Sequence, residues 1–144
     1  RFSDLESHIY IYGERYMVAV YERPSRSECV RLVARLKSRD AAFKEFSSLA
    51  WGYRAMFILL DTYRVRYGLQ TLREMITRYA PPTENHTALY IDAVCDATGI
   101  RPDERIDTRS RRVMVPIVAA MSRVENGCAA RRSEVEQGFD LTGF

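Results

Sequence analysis

Lysine is almost missing from this chain. Lys37 and Lys44 are the only two among 22 basic residues, so the positive charge is carried by arginine. Arginine's planar fork suits bidentate contacts to phosphates and carboxylates, and it also serves as ordinary solvated helix surface. The net charge of +3 is too small to define a partner by itself. Histidine is equally scarce, at His8 and His86 alone, and Cys29, Cys95 and Cys128 form no C-x-x-C pair. A zinc site built on His and Cys is therefore not expected, nor is any other metal or cofactor. Three widely spaced cysteines read as reduced thiols, with Cys95 in a helix core. No apolar run reaches the ~20 residues of a bilayer span, and no charged, apolar and small-residue cleavage pattern opens the chain. No membrane partner is expected. There is no repeat, low-complexity segment or clear linker.

What is present is the composition of an ordinary soluble globular protein: 144 residues, 47% hydrophobic and 28% charged. That length suits a single domain, residues 1–144, with a sizeable core. Residues 1–24 differ from the rest. His8–Tyr12 and Tyr16–Tyr21 are β-branched and aromatic and flank Gly13-Glu14-Arg15. This is a β-hairpin signal, with Pro24 ending the second strand. Two strands alone are marginal in water, so the hairpin must lie on a helical body, residues 25–144, or on a partner.

The body reads as a series of amphipathic helices. Ser25 or Ser27 caps a basic one with Cys29, Val30, Leu32, Val33 and Leu36 on its apolar stripe, and Arg26, Arg31, Arg35, Lys37 and Arg39 on other faces. Phe43–Phe46 is a short bridge into the longest pattern, from about Ser48 to Tyr67. There Leu49, Tyr53, Met56, Phe57, Leu60 and Tyr63 recur at helical steps, and Gly52 suggests a close backbone approach. Gly68 ends it. Thr71 and Glu74 stand in capping-box register for the next helix. Beyond Arg78–Tyr90 come a helix through Val94 and Cys95 to Gly99, a turn at Arg101-Pro102-Asp103, and a helix capped by Asp107, Thr108 or Ser110. That helix contains Pro116, which should kink it outside the first turn, and stops at Asn126-Gly127. Ser133 begins a last short helix. The fold class is α+β, mostly helical, with a small N-terminal β-hairpin.

The chain turns on Arg78–Tyr90, reading RYAPPTENHTALY. Pro81 and Pro82 stop one helix, and Asn85 or Thr87 would cap the next near Ala88. Thr83, Glu84, Asn85 and His86 are then held on a short, stiff connection, the usual place for binding chemistry. A capped helix junction with no ligand explains the same residue types.

Laid out in order, several stretches resemble a known family. Phe43–Phe46, Trp51-Gly52-Tyr53-Arg54-Ala55, Tyr67–Thr71, Tyr79–Pro82, Glu84-Asn85-His86-Thr87, Tyr90-Ile91, Ile106-Asp107 and Val124-Glu125-Asn126-Gly127 follow its pattern. It is the virion structural-protein family of tailed phages and prophages, and the resemblance covers roughly residues 41–141. The family in turn resembles glucosaminidases and other lysozyme-like peptidoglycan hydrolases. The resemblance implies a lysozyme-like helical domain and a peptidoglycan glycan strand as ligand. The asparagine-rich segment with which the family opens has no counterpart in residues 1–40.

Glycoside hydrolysis needs a carboxylic acid held protonated in an apolar pocket, with a second carboxylate or an assisted water. Glu84, in the polar loop, and Glu45, between Phe43 and Phe46, are the catalytic candidates; Glu6, Glu14 and Glu125 are further carboxylates. Asn85, His86, Thr87, Tyr90, Trp51 and Tyr53 are the candidate binding residues lining a groove. The first functional reading is a peptidoglycan-directed, lysozyme-like phage or prophage protein that hydrolyses the strand if active. The second is a non-catalytic virion structural or interaction module. The third is nucleic-acid binding through Arg26–Arg39 and Arg109–Arg112, with steep salt dependence. The expected location is the virion or, for a prophage product, the bacterial cytoplasm with delivery to the periplasm. Partners are the glycan strand or other virion proteins.

Overall fold

The computed structural model describes the backbone strands 5–12, 15–22 and 43–45, and residues 49–82 and 85–144 in full. The expected basic helix over residues 25–39 lies outside the described residues. Leu5–Tyr12 (β1) and Arg15–Glu22 (β2) pair antiparallel, from Leu5 opposite Glu22 to Tyr12 opposite Arg15. The expected hairpin is therefore present in the backbone pairing, with Arg15 already in the strand. Phe43–Glu45, read from sequence as a bridge, is a third strand (β3) on the other edge of β1, with Tyr12 opposite Phe43. β1 and β2 both lie against the longest helix.

Five helices follow among the described residues: α1 (Leu49–Tyr67), α2 (Leu72–Tyr79), α3 (Thr87–Thr98), α4 (Arg111–Asn126) and α5 (Arg132–Thr142). The described body is mostly helical. α1 is central: Tyr53, Met56, Phe57, Leu60 and Tyr63 are buried at three- and four-residue steps. They pack with Met114, Ile117, Val118 and Met121 of α4 and Val135 and Phe139 of α5 in one core. Phe57 and Phe139 meet edge to face at 5.2 Å. The capping box at α2 is complete. The Glu74 amide donates to Thr71 Oγ1 at 3.2 Å, and the Thr71 amide donates to Glu74 Oε1 at 3.2 Å. Ser110, one of three expected caps, starts α4 by accepting from the Val113 amide. Pro116 stands in the second turn of α4, where it has no amide to give the ladder.

α5 lies along α1 because one side chain is missing. A Cβ on Gly138 would stand 2.6 Å from Tyr53 Cβ and 2.9 Å from the Ala50 carbonyl. The close approach in this helix pair is thus at Gly138, a residue the sequence reading did not single out. The Ala50 carbonyl belongs to helical backbone and cannot step aside cheaply. Gly138→Ala is expected to destabilise the fold by about 1–3 kcal/mol through overpacking, despite alanine's ~1 kcal/mol better helix propensity. A denaturant midpoint equal to or above wild type would contradict this packing.

Asp61 is the only acid in α1, and it is 7% exposed. Its carboxylate accepts from Thr108 Oγ1 at 2.7 Å, Arg64 at 3.0 Å and Arg109 at 3.0 and 3.2 Å. Thr108 in turn accepts from Arg64 Nε at 2.7 Å. Burial opposes ionisation, but the bonds from Arg109, Thr108 and Arg64 outweigh it and push the Asp61 carboxyl down to about 2 from 3.8. A folded pKa below the unfolded one adds stability that is present above pH 3.8 and lost as pH falls toward 2. Asp61→Asn should therefore cost about 2 kcal/mol at neutral pH. In stability-versus-pH measurements its deficit should shrink between roughly pH 4 and pH 2.

Candidate functional site

α2 ends at Tyr79, just before Pro81 and Pro82, and α3 begins eight positions later at Thr87. The last carbonyls of a helix have no partner inside it, and proline offers no amide to its neighbours. The connection meets that need with side chains. Thr87 Oγ1 donates to the Ala80 carbonyl, and Asn85 Nδ2 donates to the Pro81 carbonyl at 3.2 Å. Neither residue caps α3, contrary to the sequence expectation. The N-cap is His86, and its side chain makes no capping bond. Both side chains are instead turned toward the carbonyls of the connection that follows α2. Thr87 is buried by this tie, while His86 is exposed as expected.

Across the loop lies the end of α4. Asn85, His86, Leu89 and Tyr90 on one side and Val124 and Glu125 on the other enclose a cleft of about 280 Å³. Tyr90 packs edge to face on Tyr79, 6.2 Å between rings, which fixes its position in the wall. Leu89 and Val124 are 66% and 39% exposed, so the mouth of the cleft has an apolar rim. Behind Glu125, Asn126 donates to the Ser122 carbonyl at 2.9 Å. Tyr53 OH and Ser122 Oγ share a hydrogen bond at 3.0 Å.

A second pocket, about 390 Å³, opens where the start of α1 meets α5. Trp51 stands at its edge, 48% exposed, with the Arg54 guanidinium 5.6 Å from its ring centroid. Glu134, Gln137 and Asp140 contribute polar groups from α5. Burial raises the Glu134 carboxyl above the usual range, and the charge of Arg131 opposes this only in part. Glu134 Oε1 is buried with no hydrogen-bond partner among the described residues. Asp140 is instead paired with Arg111, which also reaches Glu136 Oε1 at 2.6 Å.

The sequence-selected residues thus separate. Asn85, His86 and Tyr90 share the cleft, and Trp51 lines the other pocket. Tyr53 is 0% exposed. Burial pushes its phenol pKa well up, so it packs the core and lines no groove. Glu84 lies outside the described residues. Glu45 is in β3 opposite Tyr10, and its side chain is likewise outside them. Glu134, Gln137 and Asp140 were missed. Their three-residue spacing on one helix face was a readable signal, but without α1 opposite it looks like a solvated surface. Cys95 is a free thiol whose pKa burial raises, whereas Cys128 is disulfide-bonded, which corrects the expectation of three reduced cysteines.

The two loop ties differ in burial, and that sets an order. Thr87→Val strands a buried carbonyl and is expected to cost about 1–3 kcal/mol, and Asn85→Ala about 0.5–1.5 kcal/mol, in urea unfolding. The reverse order would return Asn85 to the dominant role.

No family model matches the sequence. Over 102 residues the chain is 34% identical to Protein P5 of Pseudoalteromonas phage PM2, an alignment taking in 70% of this chain and 62% of that protein. The chain therefore spans less than two thirds of the relative it matches. The likeness supports a phage protein. It does not extend to a lysozyme-like family.

Proposed function

We propose that this chain is a peptidoglycan-directed phage or prophage protein with a lysozyme-like helical domain, which engages a glycan strand and hydrolyses it if its acid is in place. One observation carries the reading. Asn85 and His86 from one stretch that resembles the virion-family pattern, Tyr90 from a second, and Val124 and Glu125 from a third line a single cleft. Residues so far apart in sequence meet there through the α3–α4 pairing. Glu125 lines the cleft; Glu84, next to Asn85 in sequence, and Glu45 are the other candidates for proton transfer to a glycosidic oxygen.

A second reading is a non-catalytic virion module. The exposed Leu89 and Val124 favour it, because an apolar rim around a polar cleft also suits a protein partner. Nucleic-acid binding gains little support from Arg109–Arg112. Arg109 is committed to Asp61, and Arg111 to Glu136 and Asp140.

Purified peptidoglycan sacculi separate these readings. Wild-type protein should release soluble muropeptides with new reducing ends, seen by mass spectrometry. Glu84→Gln should stay folded and bound while losing turnover. Undiminished release by the Glu84→Gln, Glu45→Gln and Glu125→Gln variants would remove all three as the acid. Retention on sacculi without products leaves a wall-binding structural protein, and neither retention nor products sinks the glycan reading in favour of a virion partner.

A further inference from the structure

We propose that the cavity between the turn after α3 and the first turns of α4 binds a small zwitterion with an aliphatic body, of the class of a free branched-chain amino acid. The cavity shares no residue with the loop cleft, and the inference stands apart from the glycan reading.

The lining carries charges of both signs that do not satisfy each other. Glu104, Arg105 and Arg112 all contribute to it. Among the described residues no ion pair joins Glu104 to either arginine. Its contacts are with Arg101, and both are made through Oε1, so Oε2 is left for a ligand. Arg105 is held in place because its Nε–H donates to Gln70 Oε1 at 2.8 Å, which leaves its two Nη groups to donate elsewhere. The Arg112 side chain makes no ion pair among the described residues, although Arg109 and Arg111 beside it are both paired. The backbone adds one more acceptor. Pro116 has no amide, so the Arg112 carbonyl, four positions earlier, lacks its donor in the helical ladder.

That set of groups selects the ligand. A bare anion would suit the two guanidinium groups but meet the Glu104 carboxylate, and a bare cation would meet both arginines. A molecule carrying a carboxylate and an ammonium group satisfies both signs through charge-assisted hydrogen bonds. Thr98 does not alter this choice, since its hydroxyl donates to the Val94 carbonyl at 2.8 Å and accepts from the Ile100 amide at 3.3 Å. Ile106, Val113 and Pro116 supply an apolar wall for an aliphatic side chain. The volume of about 230 Å³ sets the size. It is roughly eight waters' share of liquid volume, and it falls below the ~300 Å³ at which sites for drug-sized ligands begin. One amino acid fits that space, whereas a glycan strand does not.

The probe is L-leucine, titrated into the isotope-labelled full chain and followed by amide NMR shifts and calorimetry. Saturable shifts should centre on Ile106, Arg112 and Val113. Leucinamide lacks the carboxylate and isocaproate lacks the ammonium group, and each should bind about tenfold more weakly. Arg112→Gln and Glu104→Gln should each weaken leucine binding by a similar factor. Both residues are exposed, and glutamine keeps the Oε1 acceptor for the Arg101 amide, so both variants should melt like wild type. Isocaproate or inorganic phosphate binding as tightly as leucine would reduce the cavity to an anion patch and overturn the proposal. So would the absence of leucine binding, or undiminished affinity in both variants.

Discussion

The contact of Gly138 with Tyr53 is the constraint on which the rest of the body depends. At that point two helices approach so closely that a single methyl group would meet both a Cβ and a backbone carbonyl. Everything on α5 is placed by it. Phe139, the next residue, meets Phe57 edge to face, and Glu134, one turn earlier, comes to face the start of α1. Tyr53 carries the constraint onward. Its hydroxyl bonds Ser122 on α4, Ser122 is bonded by Asn126, and Asn126 adjoins Glu125 in the wall of the loop cleft. The two pockets share no lining residue, yet both are braced by one buried tyrosine.

Two carboxyls show how the fold assigns its charges. Asp61 is deeply buried but accepts hydrogen bonds from three side chains, and its ionised form is favoured. Glu134 is only half buried, but no such donors surround it, and its neutral form gains ground. Burial acts in the same direction on both; the donors decide the outcome. The same contrast accounts for much of the arginine. Arg64 and Arg109 hold Asp61, Arg111 ties α4 to α5, and Arg73 grips Asp103 with a two-bond fork at 2.8 and 3.1 Å. Arg109 and Arg111, which suggest an anion-binding surface in sequence, instead fasten one element to another.

Local signals were legible where local physics decides. The Thr71–Glu74 box, the Ser110 cap and the left-handed glycines Gly68, Gly99 and Gly127 all act within a few residues of themselves. The apolar stripe of α1 also matched its buried face, because a helix surrounded by others must hide that stripe. What failed to show was set by distant partners. Phe43–Glu45 is too short to announce a strand, and it becomes one only through the edge of β1. Asn85 and Thr87 have the chemistry of caps, but the carbonyls left by Pro81 and Pro82 turned them into donors. Gly138 and Glu134 take their meaning from α1, more than 80 positions away.

The groove expected from sequence was lined by Trp51, Tyr53 and Tyr90 together, and helical geometry argues against it. Successive residues of an α-helix are rotated by about 100°, so positions two apart point to nearly opposite sides. Burying Tyr53 against α4 and α5 therefore turns Trp51 outward, and the observed exposures follow from that rotation. Tyr90 sits on another helix beside Tyr79, at the loop rather than at the start of α1. Three aromatics that read as one surface become a core residue and two separate pocket walls. Tyr53 and Gly138 line neither pocket, yet they set where both walls stand.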